Sequence, residues 1–362
     1  MAYFHWVGRE AALANANYTV IAQAINPNDD GNLLWDVFFP RRNVPSVKIS
    51  TLTSLIPKKY TSDRREWNAR GRYIPQEFPG TAELEMVPIE DYFKLGEREI
   101  QAIEERAGNR VAAGTGVAEF INEIGINFED RVIALVQANY RRVEVDCFNA
   151  WTNGQVTARN PTTGATYTMS YGLDTTRYQT AAPAWTGGSS GTAYTKFVQW
   201  LLDGFDRGVQ IAGAMMRLAT REAIRASAPN LALPPGSTQA PILADVESRI
   251  QDETGTDFRF YTNERTVDIF ATAGLATTAT KLWPTGVVAV VPAGESVGYS
   301  AFAPVARAGE ISRAVPEARI DRNGMAVFVE SANNGRELTT EAQLNQLPIV
   351  DETRIWVIQA GI

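Results

Sequence analysis

The chain has 362 residues, 44% of them hydrophobic, and a formal net charge of −7; that length allows two or three compact units, or one body with long extensions. A single cysteine, Cys147, excludes an intramolecular disulfide framework and fits a reducing compartment. A single histidine, His5, leaves almost no room for His-based acid–base catalysis or His metal clusters.

Met1 to Trp6 contain no basic segment leading into an apolar run, so no secretory leader is expected. Residues 1–30 are rich in Ala and Asn and end in the turn formers Asn26 to Gly31, which reads as an arm with one short helix. Leu33 to Pro40, with Trp35, Phe38 and Phe39, form an apolar plug. From Val47 to Glu85, β-type pieces flank a polar, Arg-rich centre, as in a long two-stranded excursion. An isolated ribbon of that kind is marginal in water and needs a surface to lie on.

The charge along this region is segregated. Nine basic residues lie between Arg41 and Arg72 (Arg41, Arg42, Lys48, Lys58, Lys59, Arg64, Arg65, Arg70, Arg72), against Asp63 and Glu66. From Glu77 to Glu105 the sign flips, with nine acids, among them Glu90, Asp91, Glu97, Glu99, Glu104 and Glu105, against Lys94 and Arg98. A basic block alone points to nucleic acid. Two opposed blocks side by side suit copies of one chain meeting head to tail, so Arg64, Arg65, Arg70, Arg72, Glu97, Glu99, Glu104 and Glu105 are the candidate inter-subunit contacts. The alternative, two solvated faces that pair within the chain, stays open.

The strongest helical pattern runs from Glu119 to Trp151: Phe128, Val132, Val136, Tyr140, Val143, Cys147 and Trp151 share one stripe, with Glu129, Asp130, Arg141, Arg142 and Glu144 largely outside it. Asn153 and Gly154 close the helix. Its length suits a spine along an elongated subunit. A hairpin follows, Gln155 to Arg159 and Thr166 to Tyr171, and residues 172–192 read as loop. Helices are predicted at Lys196–Met216, Leu218–Ser227 and Pro241–Glu253. Strands are predicted at Phe258–Tyr261, Val287–Val291, Ala326–Glu330 and Thr353–Gln359. The class is α+β.

Catalytic parts are scarce. Gly187-Gly188-Ser189-Ser190-Gly191 matches the hydrolase pattern G-x-S-x-G, but its flanks are turn-like and no histidine follows to take the serine proton. Cys147 falls on the apolar stripe as a core thiol. Asp203 and Asp206 are one helical turn of acids, and Gly114-Thr115-Gly116 lacks the lysine of a phosphate loop. The tryptophans are spread along the chain without interleaved bases, so they read as core or interface anchors. No cofactor, metal site or catalytic residue is expected, and no stretch approaches the roughly 20 apolar residues of a membrane-spanning helix.

The order of these parts resembles the lambda-type major capsid proteins of tailed bacteriophages, which share the Hong Kong-97-type shell fold. The resemblance rests on pattern over most of the chain. It is carried by Leu33 to Pro40 followed by Val47 to Leu52, by the helix ending in Asn149 to Val156, by the hairpin around Asn160 to Gly164, by Leu282 to Gly298, and most specifically by Leu347 to Gly361. The resemblance implies an N-terminal arm over 1–36, an extended loop over 37–88 and the first part of a peripheral domain with the spine helix over 89–195. It further implies an axial domain over 196–319 and closing strands of the peripheral domain over 320–362. It implies self-assembly through hexamers and pentamers into an icosahedral head in the host bacterial cytoplasm. The partners it implies are a separate scaffolding protein, a portal, a decoration protein and packaged double-stranded DNA without sequence-specific contact. An encapsulin-like compartment shell is the alternative on the same fold, and a serine hydrolase using Ser189 the alternative from another class.

Overall fold

The computed structural model describes residues 9–25, 33–52, 81–96, 98–99, 105, 117–159, 166–188, 191–229, 241–270, 277–332 and 337–362. The chain divides into two compact units, one of Met1–Lys48, Glu85–Cys147 and Tyr299–Ile349, the other of Ile49–Leu84, Phe148–Gly298 and Val350–Ile362.

In chain order the helices are α1 (Arg9–Ala24), α2 (Trp35–Phe38), α3 (Val117–Asn153), α4 (Ala193–Asp206), α5 (Leu218–Ser227), α6 (Leu243–Thr254) and α7 (Ala306–Ala314). The strands are β1 (Arg41–Asn43), β2 (Lys48–Leu52), β3 (Thr81–Glu85), β4 (Pro88–Leu95), β5 (Gln155–Arg159), β6 (Thr166–Ser170), β7 (Tyr178–Thr180) and β8 (Ile211–Met216). They continue as β9 (Arg259–Thr262), β10 (Thr266–Phe270), β11 (Thr277–Lys281), β12 (Val287–Pro292), β13 (Gly298–Ala303), β14 (Ala326–Ala332), β15 (Glu337–Val350) and β16 (Val357–Gln359). Helices and strands are mixed without a regular βαβ alternation, as the sequence predicts. Among the described residues, no helix is long and apolar enough to cross a membrane.

The first unit is built on a five-stranded sheet ordered β1-β13-β15-β14, with β4 also paired to β15. β15 is the centre. It takes β14 antiparallel from Ala326↔Gln343 to Ala332↔Glu337 and β4 antiparallel from Pro88↔Asn345 to Leu95↔Leu338. The apolar plug supplies the core beneath: Leu33, Trp35, Phe38 and Phe39 are buried, and the Trp35 indole stacks on Tyr140 and tilts against Phe302, with centroids 6.4 and 5.9 Å away. Val132, Val136, Tyr140, Val143 and Cys147 of α3 are buried on their predicted stripe. The stripe is wider than apolar periodicity indicates. Glu144, expected outside it, is fully buried, its carboxylate accepting the Leu34 N–H at 3.0 Å. A buried acid is tolerated because it satisfies a backbone donor that would otherwise be stranded. α1, longer than the short helix expected, packs Ala16 against Val305, Ala308, Ile311 and Phe328.

The second unit holds a five-stranded sheet ordered β7-β16-β12-β8-β9, with β7 and β9 parallel to their neighbours and the inner pairs antiparallel. All six residues of β12 are buried, as in a strand covered on both faces. α4 turns Phe197, Val198, Trp200 and Leu201 into the core that also holds Ile224 of α5 and Ile250 of α6. Aromatic edges interlock there: Phe197 lies 5.8 Å from Phe258 and 6.0 Å from Trp200, and Trp200 stacks on Trp356 at 6.3 Å. Gly213 is required where β8 meets β9, because a Cβ would lie 2.4 Å from the Arg259 carbonyl oxygen.

Two expectations are corrected here. The helix predicted over Lys196–Met216 ends at Asp206, and Ile211–Met216 is a strand between β12 and β9. The run Ile-Ala-Gly-Ala-Met-Met is buried on both faces, and a short apolar run of that kind has no periodicity to separate strand from helix. The strand expected over Thr353–Gln359 begins with a 3-10 turn, Glu352–Arg354, capped by Asp351, and only Val357–Gln359 pairs. Residues 299–349 belong with the first unit, while β16, held between β7 and β12, joins the C-terminus to the second. Sheet pairing, not chain continuity, sets that division.

Of the predicted two-stranded excursion, the legs are described and they pair as β2 with β3. Its middle, 53–80, lies outside the described residues. The hairpin of β5 and β6 forms from Gln155↔Ser170 to Arg159↔Thr166, and its tip around Asn160 to Gly164 lies outside them as well.

Candidate functional site

Glu90, Asp91 and Tyr92 are exposed on β4, a strand at the flank of the first unit's sheet, with Tyr92 66% exposed. Alternation turns Ile89, Asp91, Phe93 and Leu95 to one face of the strand and Glu90 and Tyr92 to the other; Leu95 is buried, while both acids stay exposed. Burial raises the Glu90 carboxyl above its ordinary pKa, and the neighbouring Glu341 raises it further. Asp91 is raised by burial against the opposing charge of Arg142. Glu341 is in turn held by Arg307, whose Nη1 donates to both of its oxygens at 3.2 Å while Nη2 meets Glu330. The Arg307 guanidinium lies flat over Phe328, 4.0 Å from the ring centre. Three carboxylates therefore share one arginine, and the face keeps a negative surplus.

Glu99, exposed, accepts the Gly96 N–H at 3.0 Å and so fixes the turn after β4; Glu105 is exposed too. Arg64, Arg65, Arg70, Arg72, Glu97 and Glu104 lie outside the described residues, so the two charge blocks are not brought together in view. At the start of the basic block, pairing within the chain prevails: Arg41 Nη2 lies 2.9 Å from Asp321 Oδ2, and Arg42 sits over Tyr299 at 4.9 Å. The Glu341, Arg307 and Glu330 contributions were missed by sequence reasoning, because strand register and a helix start, not proximity in sequence, deliver them to β4.

Chemistry elsewhere is thin. Gly187, Gly188 and Gly191 form a turn in which the Gly191 N–H donates to the Gly188 carbonyl at 2.9 Å, and a Cβ on Gly191 would lie 2.1 Å from Thr186 O. A helix does follow, α4, contrary to the turn-like flank expected. Among the described residues the preceding strand, β7, stops at Thr180, so no strand runs directly into Gly187 as a hydrolase elbow requires. Ser189 and His5 lie outside the described residues. Cys147 is buried, and burial pushes its thiol pKa well up, with Asp146 and Glu144 adding to the shift. Among the described residues no group of three or more His, Cys, Asp or Glu could hold a metal ion.

Asp146, on the first unit's part of α3, is buried and pushed up from its ordinary 3.8 to about 6 by desolvation, which Arg142 at 2.8 Å only partly offsets. An acid raised on folding contributes stability that is fully present below its unfolded pKa and lost as pH rises through its folded one. Between about pH 4 and about pH 7, the native subunit should lose on the order of 1–3 kcal/mol relative to Asp146→Asn. Parallel melting curves of the two proteins across that range would refute this assignment.

No family model matches the sequence, and no curated protein matches it either. Solved structures do. A prophage protein of Escherichia coli CFT073, described as a capsid protein, superposes with a TM-score of 0.56 at 10% identity, over 98% of this chain and 99% of that one. A phage-related protein from Bordetella bronchiseptica RB50 gives 0.45 at 12% identity, over 95% and 96%. The capsid of Myoviridae phage XM1 gives 0.41 at 10% identity, over 90% of each chain. The first of these establishes that the chain has the fold of that prophage protein from end to end.

Proposed function

We propose that this chain is the major capsid protein of a tailed bacteriophage, a subunit that self-associates into the icosahedral shell of the head. The observation that carries the reading is the end-to-end fold shared with the prophage protein described as a capsid protein. Subunits meet in pentamers and hexamers. A scaffolding protein, a portal and a decoration protein are the expected partners, and double-stranded DNA is enclosed without sequence-specific contact. The work is structural, done in the virion capsid after assembly in the host bacterial cytoplasm. The long helix α3 acts as a spine of the peripheral domain, and the sheet around β12 belongs to the axial domain. Arg64, Arg65, Arg70 and Arg72 of one copy meet Glu97, Glu99, Glu104 and Glu105 of the next. The exposed acids of β4 support this by extending the negative face on which a basic loop can settle.

Electron microscopy of the expressed protein, with and without its scaffolding protein, should show closed particles of uniform size. Absence of any large particle under both conditions would overturn the reading. Shortening the segment between Thr51 and Glu83 should leave soluble, folded subunits that close no shells, because a polar ribbon builds no core of its own. Normal shells from that deletion would remove 37–88 from its role as the extended loop.

A further inference from the structure

α1 lies along β14 and presents three polar side chains one helical turn apart, two to the strand and the third to the residues just before it. Asn15 Oδ1 accepts the Val329 N–H at 2.9 Å. Thr19 Oγ1 accepts the Val327 N–H at 3.0 Å and donates to the Val327 carbonyl at 3.1 Å. Gln23 Nε2 donates to the carbonyls of Met325 and Asp321 at 3.0 and 2.8 Å, while its Oε1 accepts the Asp321 N–H at 2.8 Å. Four helical residues rise about 6 Å and two strand residues about 6.6 Å, so the two repeats stay in step. In an antiparallel pair, alternate residues point their backbone groups to opposite edges, and Val327 and Val329 point theirs away from β15. Thr19 is fully buried. The helix thus stands in for a missing strand, with side chains meeting the backbone groups that a sixth strand would have met.

We propose that α1 is a detachable cover and that the β14 edge beneath it is an association surface for an extended segment of a second copy of this chain. A bare strand edge binds extended backbone. The same chain supplies one: β4 flanks the other side of β15, which is its only strand partner among the described residues. Joining β4 to another β4 sets Glu90 and Asp91 against their own kind, whereas β14 carries no charge from Ala326 to Val329. The favoured contact is head to tail, β14 of one copy to β4 of the next.

The inference does not depend on the shell reading and is tested on free subunits. Thr19→Val keeps the side-chain shape and removes both bonds to Val327. The triple variant Asn15→Ala, Thr19→Ala, Gln23→Ala removes the whole set. Backbone hydrogen exchange at Val327 and Val329 should accelerate at least about tenfold in the triple variant, with Val327 alone following in Thr19→Val. Sedimentation should show concentration-dependent oligomers of the triple variant. Adding Val329→Pro, which removes an outward N–H and no bond to β15, should return them to monomers. Exchange that does not change would show that α1 is not the cover. Fast exchange with subunits that stay monomeric, or oligomers that survive the proline, would show that the edge is not the association surface. Should the triple variant fail to fold, Thr19→Val with and without the proline decides by the same two readouts.

Discussion

Arg64→Glu together with Arg65→Glu is expected to abolish particle formation while leaving the melting temperature of the isolated subunit within about a degree of the parent, since exposed ion pairs are worth only about 0 to 1 kcal/mol. Like charges forced together across an interface cost several kcal/mol, and a shell repeats that cost in every subunit. In the described part of the chain, Glu90 and Asp91 are exposed on β4, and Glu99 and Glu105 are exposed beyond it. Glu105→Arg is the better compensating change, because Glu99 also holds the Gly96 N–H and its reversal would loosen the turn after β4. Particles should return in the triple variant. The double-mutant cycle is read by particle yield and by subunit melting. A melting temperature lowered by the arginine reversal, with unchanged particle yield, would mean that these arginines pair within their own chain, as Arg41 does with Asp321.

Trp356→Ala should cost the isolated subunit roughly 3–5 kcal/mol, the range for emptying a buried aromatic site. Trp356 has no exposed surface, stacks on Trp200 at 6.3 Å, and donates its indole N–H to the Trp200 carbonyl at 3.0 Å. Two arginines face the ring, Arg207 at 5.4 Å and Arg177 at 5.9 Å. Arg177 is only 1% exposed and none of its guanidinium nitrogens finds a hydrogen-bond partner among the described residues, so the indole face is a principal part of its surroundings. Gly204 stands against the ring, where a Cβ would be 3.0 Å away, so that wall of the site has no side chain of its own to move into the space. Urea denaturation of wild type and variant measures the difference directly. A loss under about 1 kcal/mol would mean that the site collapses around the missing ring.

The acidic face was legible in the sequence as a block, since charge segregation needs no knowledge of fold. Its internal structure was not. Arg307 and Glu341 reach Glu90 through the register of β15 against β4 and the placement of α7, neither of which leaves a local pattern. Whether the basic block meets this face in the same chain or another is likewise a property of the assembly, and Arg41 illustrates that a single residue can take the intrachain option.

The sequence by itself determined those elements whose burial is one-sided and periodic. α3 is the clearest: its stripe at spacings of three and four, closed by Asn153 and Gly154, requires a helix wherever it packs. The hairpin of β5 and β6, the plug at Leu33 to Pro40 and the α+β class follow from similarly local rules. Only the tertiary structure decided the rest. Ile211–Met216 is a strand because it fills the gap between β12 and β9, and β15 is a strand although Thr339, Asn345 and Gln346 interrupt its apolar residues, because β14 and β4 satisfy its backbone from both sides. α1 carries a weak apolar pattern and is held by Asn15, Thr19 and Gln23 reaching an edge some 300 residues downstream, a match of helical rise to strand rise that no window of sequence contains.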